Sequence, residues 1–454
     1  MSELPKSWRE VEIKEILQPL DNGNVVQQGW SPQCEKEPAS SDEWGVLKTT
    51  AIQDGFFLPN ENKKLPNPLK PKPAIELKSG DILMTCAGPR NRCGVTCFIK
   101  QTRPKLMMSG KMYRFRADPQ RIDSKYLELF LLSQNARVAI DKMKTGINDS
   151  GLNLTHSRFL KLPIPLAPLN EQRRIVLKIE ELFSELDNAI RCLCVTEDAL
   201  KVFCQSVLDR AFIGCKEHRS LETLLSQKLS NGYSGKPVSH KTEFKVLSLS
   251  STTTGVFLDK YFKYLDEQGL KNRDIWCVPN DILIQRGNTI EYVGVPALYT
   301  GTPNTFIFPD LMIRAKANNE VIDTKYLYYA LSSPKIRKYL HEKAKGSAGT
   351  MPKINQTTLA LTQIPYCPVA TQKLLVQEIE RDLSISAALQ KHAELYVAKA
   401  KILRQAILKK AFSGQLIAQN QKDKPASMLL KRICAEKGCP KPSGKKPKEK
   451  RGSA

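Results

Sequence analysis

The sequence lacks the motifs of an enzyme that acts alone. No GxxxxGK(S/T) stretch occurs in its 454 residues, which excludes a P-loop for nucleotide phosphates. Neither an FxGxG cofactor loop nor an (N/D)PP(Y/F) motif is present, so no bound S-adenosylmethionine is expected. Asn67-Pro68-Leu69 comes nearest, but it lacks the second proline and the aromatic that stacks on a flipped base. ExK triplets occur at Glu12–Lys14, Glu76–Lys78 and Glu243–Lys245, but the Pro309-Asp310 pair that could supply a nuclease's acidic metal ligand comes after all three. They read as surface charge. No apolar run approaches the roughly 18 residues that would span a bilayer. The N-terminus MSELPKSWREVEIKEI has no apolar secretory core, so a cytoplasmic protein is expected. Histidines number only five, and the twelve cysteines form no CxxC pair. Zinc needs four ligands at recognisable spacing, so reduced structural thiols are expected and no metal.

Acidic residues are also in short supply. Lys and Arg number 70 against 46 Asp and Glu, a formal net charge of +24, and such a balance favours an acidic partner, above all nucleic acid. The excess is unevenly spread. Residues 168–214 hold six basic and eight acidic residues, residues 368–414 eight and four, and residues 415–454 eleven and three. The tail therefore does not explain the basicity, most of which lies in the remaining, mixed-composition segments.

Those segments are organised by an internal repeat, the feature to seek first in a chain of this length. The sequence matches itself at an offset of 200 residues. GDIL at 80–83 answers NDIL at 280–283, and IDSKYL at 122–127 answers IDTKYL at 322–327. Pro165, Pro168 and Gln172 answer Pro365, Pro368 and Gln372, and RAFIG at 210–214 answers KAFSG at 410–414. The chain is two copies of one design.

Each copy has two parts. The first mixes short β-branched or aromatic runs (WGVLKTTAI, GDILMTCA, KMYRFRA, DILIQRG) with a helix, at 124–143 and 324–343. The second is helical. Apolar residues recur at steps of three and four from Ile175 through Ile179, Leu182, Leu186, Ile190 and Leu193 to Leu200, Phe203 and Val207. The twin stripe runs through Val376, Ile379, Leu383, Leu389, Leu395, Ile402, Leu403 and Ile407, weakened where Ser386 and Gln390 take apolar places. A helix of about 45 residues would be roughly 67 Å long and needs a partner to bury its stripe. The expected architecture is α/β: two tandem mixed α/β domains separated by two long helices that form an antiparallel coiled coil, with a pseudo-two-fold internal repeat. The expected boundaries are 1–167 and 216–367 for the mixed domains, 168–215 and 368–414 for the helices, and 415–454 for a basic, disordered tail.

Two loops in each copy suit nucleic-acid contact. After the strand MTCA comes GPRNRCG at 88–94, and after the matching strand comes QRGNTIEYVG at 285–294. Arginine and asparagine beside glycine let backbone approach phosphate while a side chain reaches a base edge. The second loop is KTGINDSGLN at 144–153, answered by KGSAGTMPKIN at 345–355. The candidate DNA-binding residues are Arg90, Asn91, Arg92, Lys111, Lys144 and Asn148 in the first copy, and Arg286, Asn288, Lys345 and Lys353 in the second. No catalytic residue is assigned.

Two variable domains alternate here with two helical regions, each introduced by a proline-rich strand and a Gln-containing helix start. These are LPIPLAPLNEQRRIVLKIEELFSELD at 162–187 and IPYCPVATQKLLVQEIERDLS at 364–384. With the GDIL and NDIL segments, this layout resembles the specificity subunits of Type I restriction–modification systems. The second helical block departs from the first, with Thr371 where Glu171 stands. The resemblance implies a non-catalytic chain in which each target-recognition domain reads half of a bipartite, asymmetric site on double-stranded DNA. It implies docking of two methyltransferase (modification) subunits that bind S-adenosylmethionine and methylate adenine. Motor-endonuclease (restriction) subunits using ATP and magnesium would join them. The alternative expectation is a stand-alone sequence-specific DNA-binding regulator.

Overall fold

The computed structural model describes residues 4–344 and 351–428. The chain divides into two units, Met1–Ile190 together with Val397–Ala454, and Arg191–Tyr396. Among the described residues no helix is long and apolar enough to cross a membrane, and the ten described cysteines are free thiols.

In the first unit the short apolar runs become strands: β1 (Arg9–Glu12), β2 (Ile82–Thr85), β3 (Ala87–Gly88), β4 (Thr96–Phe98) and β5 (Met112–Ala117). β2 lies between β4 and β5, antiparallel to both, with Leu83 opposite Cys97 on one side and Arg114 on the other. All four β2 residues are buried, as a continuous apolar run requires. Because side chains alternate along a strand, Ile82 and Met84 feed one core cluster and Leu83 another. Helices α1 (Ser124–Leu131) and α2 (Gln134–Met143) follow. Asp123 starts α1 by accepting from the backbone N–H groups of Lys125 and Tyr126, which satisfies two donors that a helix start otherwise leaves unpaired. After β6 (Leu152–Leu154), β7 (Pro163–Leu166) pairs antiparallel with β1 and leads into α3 (Leu169–Ala211).

The second unit repeats this plan with β8 (Glu217–Ser220), β9 (Ile282–Gln285), β10 (Pro296–Leu298), β11 (Met312–Ala315), α4 (Thr324–Ser332), α5 (Pro334–Lys343), β12 (Gln363–Tyr366) and α6 (Val369–Phe412). The offset of 200 holds pair by pair. Leu283 lies opposite Arg314 as Leu83 lies opposite Arg114, and β8 pairs with β12 as β1 pairs with β7.

The repeated motifs are framework. In GDIL, Asp81 accepts from the Lys78 N–H at 2.8 Å and pairs with Arg116 at 2.7 Å; in NDIL, Asp281 accepts from the Val278 N–H at 2.9 Å and faces Lys316 at 3.8 Å. The preceding residue is left-handed in both, φ +90° at Gly80 and +73° at Asn280, which explains the Gly/Asn choice there. The buried Gln172 accepts from the Asp123 N–H at 2.8 Å and donates to the Ala167 carbonyl at 2.8 Å. Gln372 does the same to Asp323 at 2.7 Å and Cys367 at 2.7 Å. Each glutamine thus ties the head of a long helix to the cap of a short one. The proline strands serve too: Tyr126 donates to the Pro165 carbonyl at 2.7 Å, and Tyr326 to that of Pro365 at 3.1 Å.

The long helices span 43 and 44 residues, or about 65 Å each at 1.5 Å per residue. In the first unit, the start of α3 lies beside the end of α6. Asp187 pairs with Arg404, whose guanidinium covers the Phe183 ring at 4.5 Å, and Phe412 meets Tyr126 and Phe130 edge-on at 5.1 and 5.2 Å. In the second unit, the end of α3 lies beside the start of α6. Cys204 donates to Ser386 at 3.1 Å, and Phe212 meets Tyr326 edge-on at 5.4 Å. As numbering rises along α3 it falls along α6, so the two helices pair antiparallel.

The buried stripe of α6 differs from the one expected. Val376, Ile379 and Ile407 are buried as expected, but Leu389, Leu395, Ile402 and Leu403 are exposed, and Ser386, Ala393 and Ala400 with Ile407 line the buried side. These four recur every seven residues, the coiled-coil period, and small side chains take the inward places. The expectation of a disordered tail from 415 is corrected at its near end. Leu416 and Ile417 pack against the first unit's core, and Ala426 is fully buried. Gln419 donates to Glu171 at 2.6 Å, and Asp423 pairs with Arg174 at 2.6 Å. Residues 429–454 lie outside the described residues.

Candidate DNA-reading surface

The two loops chosen separately in each copy meet in the fold. In the first unit β3 pairs with β6, placing Gly88 opposite Leu152 and Ala87 opposite Asn153, and the Arg90 N–H donates to the Asp149 carbonyl at 2.8 Å. In the second, Gly287 is bridged to Lys353, and the Ile354 N–H donates to the Arg286 carbonyl at 2.9 Å. Each unit therefore presents one composite surface beside the end of a strand of its central sheet: in the first a hairpin returns over it, and in the second the segment at Lys353–Ile354 is joined to it. At Gly94, with φ +91°, a Cβ would lie 2.9 Å from Ile140, so only glycine lets the first loop lie against α2.

The sequence-chosen residues divide by what they touch. Asn91, Lys111 and Asn148 are exposed, as is Lys353 in the second unit. Arg90 is exposed but held: Nε and Nη2 donate to Asp149 Oδ1 at 3.2 and 2.9 Å, and Nη1 to Asp141 Oδ2 at 2.8 Å. The Arg90–Asp149 pair holds the Asp149 carboxyl below its usual range and raises Arg90 above its own, while Lys144 first and Arg90 second hold Asp141 down. Arg92 is turned inward, with Nη2 donating to the carbonyls of Thr49 at 2.6 Å and Ile52 at 2.7 Å. Lys144 is nearly buried, bonded to the Arg90 carbonyl at 2.9 Å and to Asp141 at 2.7 Å. Asn288 locks its own turn, donating to Gln285 at 2.6 Å and accepting from the Thr289 N–H at 2.8 Å. Arg286 is half-buried and donates to the Asp310 carbonyl at 3.3 Å. Lys345 lies outside the described residues.

Sequence reasoning passed over other residues on these surfaces. Arg90 and Asn91 border a cavity of 560 Å³ with Arg137 and Lys142 of α2. Arg137 pairs with Asp54 at 2.6 Å, and its place one turn before Asp141 was the available signal. In the second unit Ile290 and Tyr292 are exposed on the loop, and Met351 is exposed shortly before the segment joined to it. Fixed loops that offer cationic, amide and apolar side chains suit contacts to phosphate and to base edges.

Comparison with known proteins decides the assignment. Residues 5–191 match the family described as the Type I restriction modification DNA specificity domain. The chain is 26% identical to the EcoKI specificity subunit of Escherichia coli strain K12 over 99% of both chains. Over its whole length the chain is similar to a specificity subunit of a Type I restriction–modification system. A specificity subunit recognises DNA sequence and is not itself an enzyme; the full-length match does not favour a stand-alone regulator. A shorter match, 39% identical over 186 residues, is to the specificity subunit of Escherichia coli EcoEI and spans 41% of this chain and 30% of that one. The fold is also that of a solved chain from a study of assembly and conformational transition of the type I R-M system, with TM-score 0.68, 19% identity and coverage of 92% and 100% of the two chains. The HsdS subunit from Thermoanaerobacter tengcongensis gives 0.52 at 17% identity, over 91% and 98%.

Proposed function

We propose that this chain is a specificity subunit that reads a bipartite, asymmetric site on double-stranded DNA, one half with each unit, and that the gap between halves is set by α3 and α6. The observation behind this reading is the pair of composite surfaces, each formed where two loops of its own unit meet and unlike in side chains. Arg90, Asn91 and Arg92 stand in the first loop where Ile290, Glu291 and Tyr292 stand in the second. Two modest readers on a stiff spacer gain avidity only when the half-sites match their separation, so unlike readers select unlike half-sites at one spacing.

The helices also suit protein docking. Leu177, Val195 and Val202 on α3, with Leu374, Ile385, Leu389 and Ile402 on α6, are exposed apolar residues. Exposed apolar side chains recurring along a helix suit contact with a protein partner. In our reading they take up two methyltransferase subunits, which bind S-adenosylmethionine and methylate adenine. Motor-endonuclease subunits, using ATP and magnesium, cleave unmodified DNA in the cytoplasm. This chain itself holds no cofactor in that scheme. Sequencing of adenine methylation in a host carrying this subunit and its methyltransferase tests the proposal. Two different half-sites at a fixed gap are expected; a palindromic site, or methylation without sequence preference, would overturn it.

A further inference from the structure

The first unit's reading surface contains its own competitor for DNA. Arg90 offers Nε and Nη2 as one two-donor edge, and a single oxygen, Asp149 Oδ1, takes both hydrogens at 3.2 and 2.9 Å. Nη1, on the far side, is anchored to Asp141 at 2.8 Å. The two carboxylates are not equivalent. Asp141 has a second cation, Lys144 at 2.7 Å, and lies on α2. Asp149 sits on the hairpin, and its side chain is 74% exposed. Arg90 is the only cation that the described contacts give it. Asp149 is therefore the partner that can leave, and its departure frees the two-donor edge.

Resting on the reading of this surface as a DNA reader, we propose that Asp149 is a specificity-determining residue, occupying the edge of Arg90 that a guanine would occupy and yielding it selectively. Guanine offers O6 and N7, one acceptor for each donor that now shares a single oxygen. A phosphate also accepts from arginine in this way, but what becomes of Asp149 differs. When Arg90 goes to a phosphate, the carboxylate is left unpaired beside an anionic backbone and is repelled. When Arg90 enters the groove, the carboxylate follows to the base edges, where a cytosine N4 amino group can donate to it. Asp149 thus penalises random DNA and spares the cognate half-site.

The test uses the full-length chain in complex with its methyltransferase subunits, on a duplex carrying the mapped site and on a random duplex. Four proteins are compared: wild type, D149N, R90A and the double variant. D149N is expected to bind the random duplex several-fold tighter, with a salt dependence steeper by about one ion. Its preference for the mapped site is expected to fall by about tenfold or more, in the range of one lost base contact. In the R90A background, D149N should leave the preference unchanged. Unaltered or weakened random binding by D149N overturns the proposal, and so does the same loss of preference with and without Arg90, which would make Asp149 a diffuse charge. If wild type itself does not distinguish the two duplexes, the assignment of this surface as a reader fails, and Asp149's role with it.

Discussion

Arg137 and Arg337 occupy the same place in the two repeats and do different work. Arg137 reaches out to Asp54 at 2.6 Å and borders the cavity beside Arg90. Arg337 turns inward, donating to the carbonyls of Val293 at 2.6 Å and Glu291 at 3.1 Å, and burial pushes it down to about 10. In the first unit the cation is left at the surface; in the second it is used up in holding the loop, and Ile290 and Tyr292 take the exposed places. The buttresses are the same in both units: an aspartate before β2 and before β9, a glutamine heading each long helix, a tyrosine on a proline carbonyl. The duplication preserved what positions the loops and changed what the loops present.

Substitutions in the shared framework should therefore give paired effects. The largest is expected at the helix ends. F412A removes an aromatic buried against two rings, and F212A one meeting a single ring. Each should cost about 3–5 kcal/mol in denaturant unfolding, with F412A the worse. Next come Q172A and Q372A. Each leaves a backbone N–H and a carbonyl of the helix junction without its partner, a cost of about 2–4 kcal/mol. The two variants should agree closely; destabilisation by only one would break the equivalence of the units. Smaller in stability but large in assembly is I402D. Ile402 is 70% exposed, so unfolding should shift by no more than about 0.5 kcal/mol, while co-purification with the methyltransferase should be lost. Retained co-purification would remove Ile402 from the docking face.

The smallest effect concerns Glu171, whose counterpart Thr371 is exposed. Glu171 accepts from Trp8 Nε1 at 3.0 Å and from Gln419, and burial raises its carboxyl above the usual range. A raised carboxyl binds its proton more tightly folded than unfolded. The stability it contributes is therefore present at acid pH and lost as pH rises from about 4.3, the unfolded value, through the raised folded one. E171Q keeps an acceptor for both donors and should abolish that slope. An unchanged slope in unfolding measured across this range would show that another group supplies it.

How much of this was legible depended on whether a feature is local. The repeat and the glutamines recur at a fixed offset, and the stripe of α3 follows a local period, although Phe203 on it is exposed. The middle of the α6 seam is hidden in the sequence because Leu389, Leu395 and Ile402 are stronger apolar signals than the residues that are buried there. Ala393 and Ala400 are weak signals of burial, yet small residues let a partner helix come close. The roles of Arg92 and Lys144 could not be read at all. Their partners, Thr49, Ile52 and the Arg90 carbonyl, are some 40 to 54 residues away, and nothing in an Arg-rich loop says which guanidinium faces inward. The meeting of loop and hairpin was hidden for the same reason, since β3 and β6 pair across more than 60 residues.

If two dissimilar readers work independently, methylation-site sequencing of R90A beside R286A shows it most directly. The loss at each position should be about 1–3 kcal/mol if the arginine contacts a guanine. R90A should relax one half-site and leave the other and the gap untouched, and R286A should relax the opposite half. Relaxation of the same half by both, or of both halves by either, would contradict the assignment of one half-site to each unit.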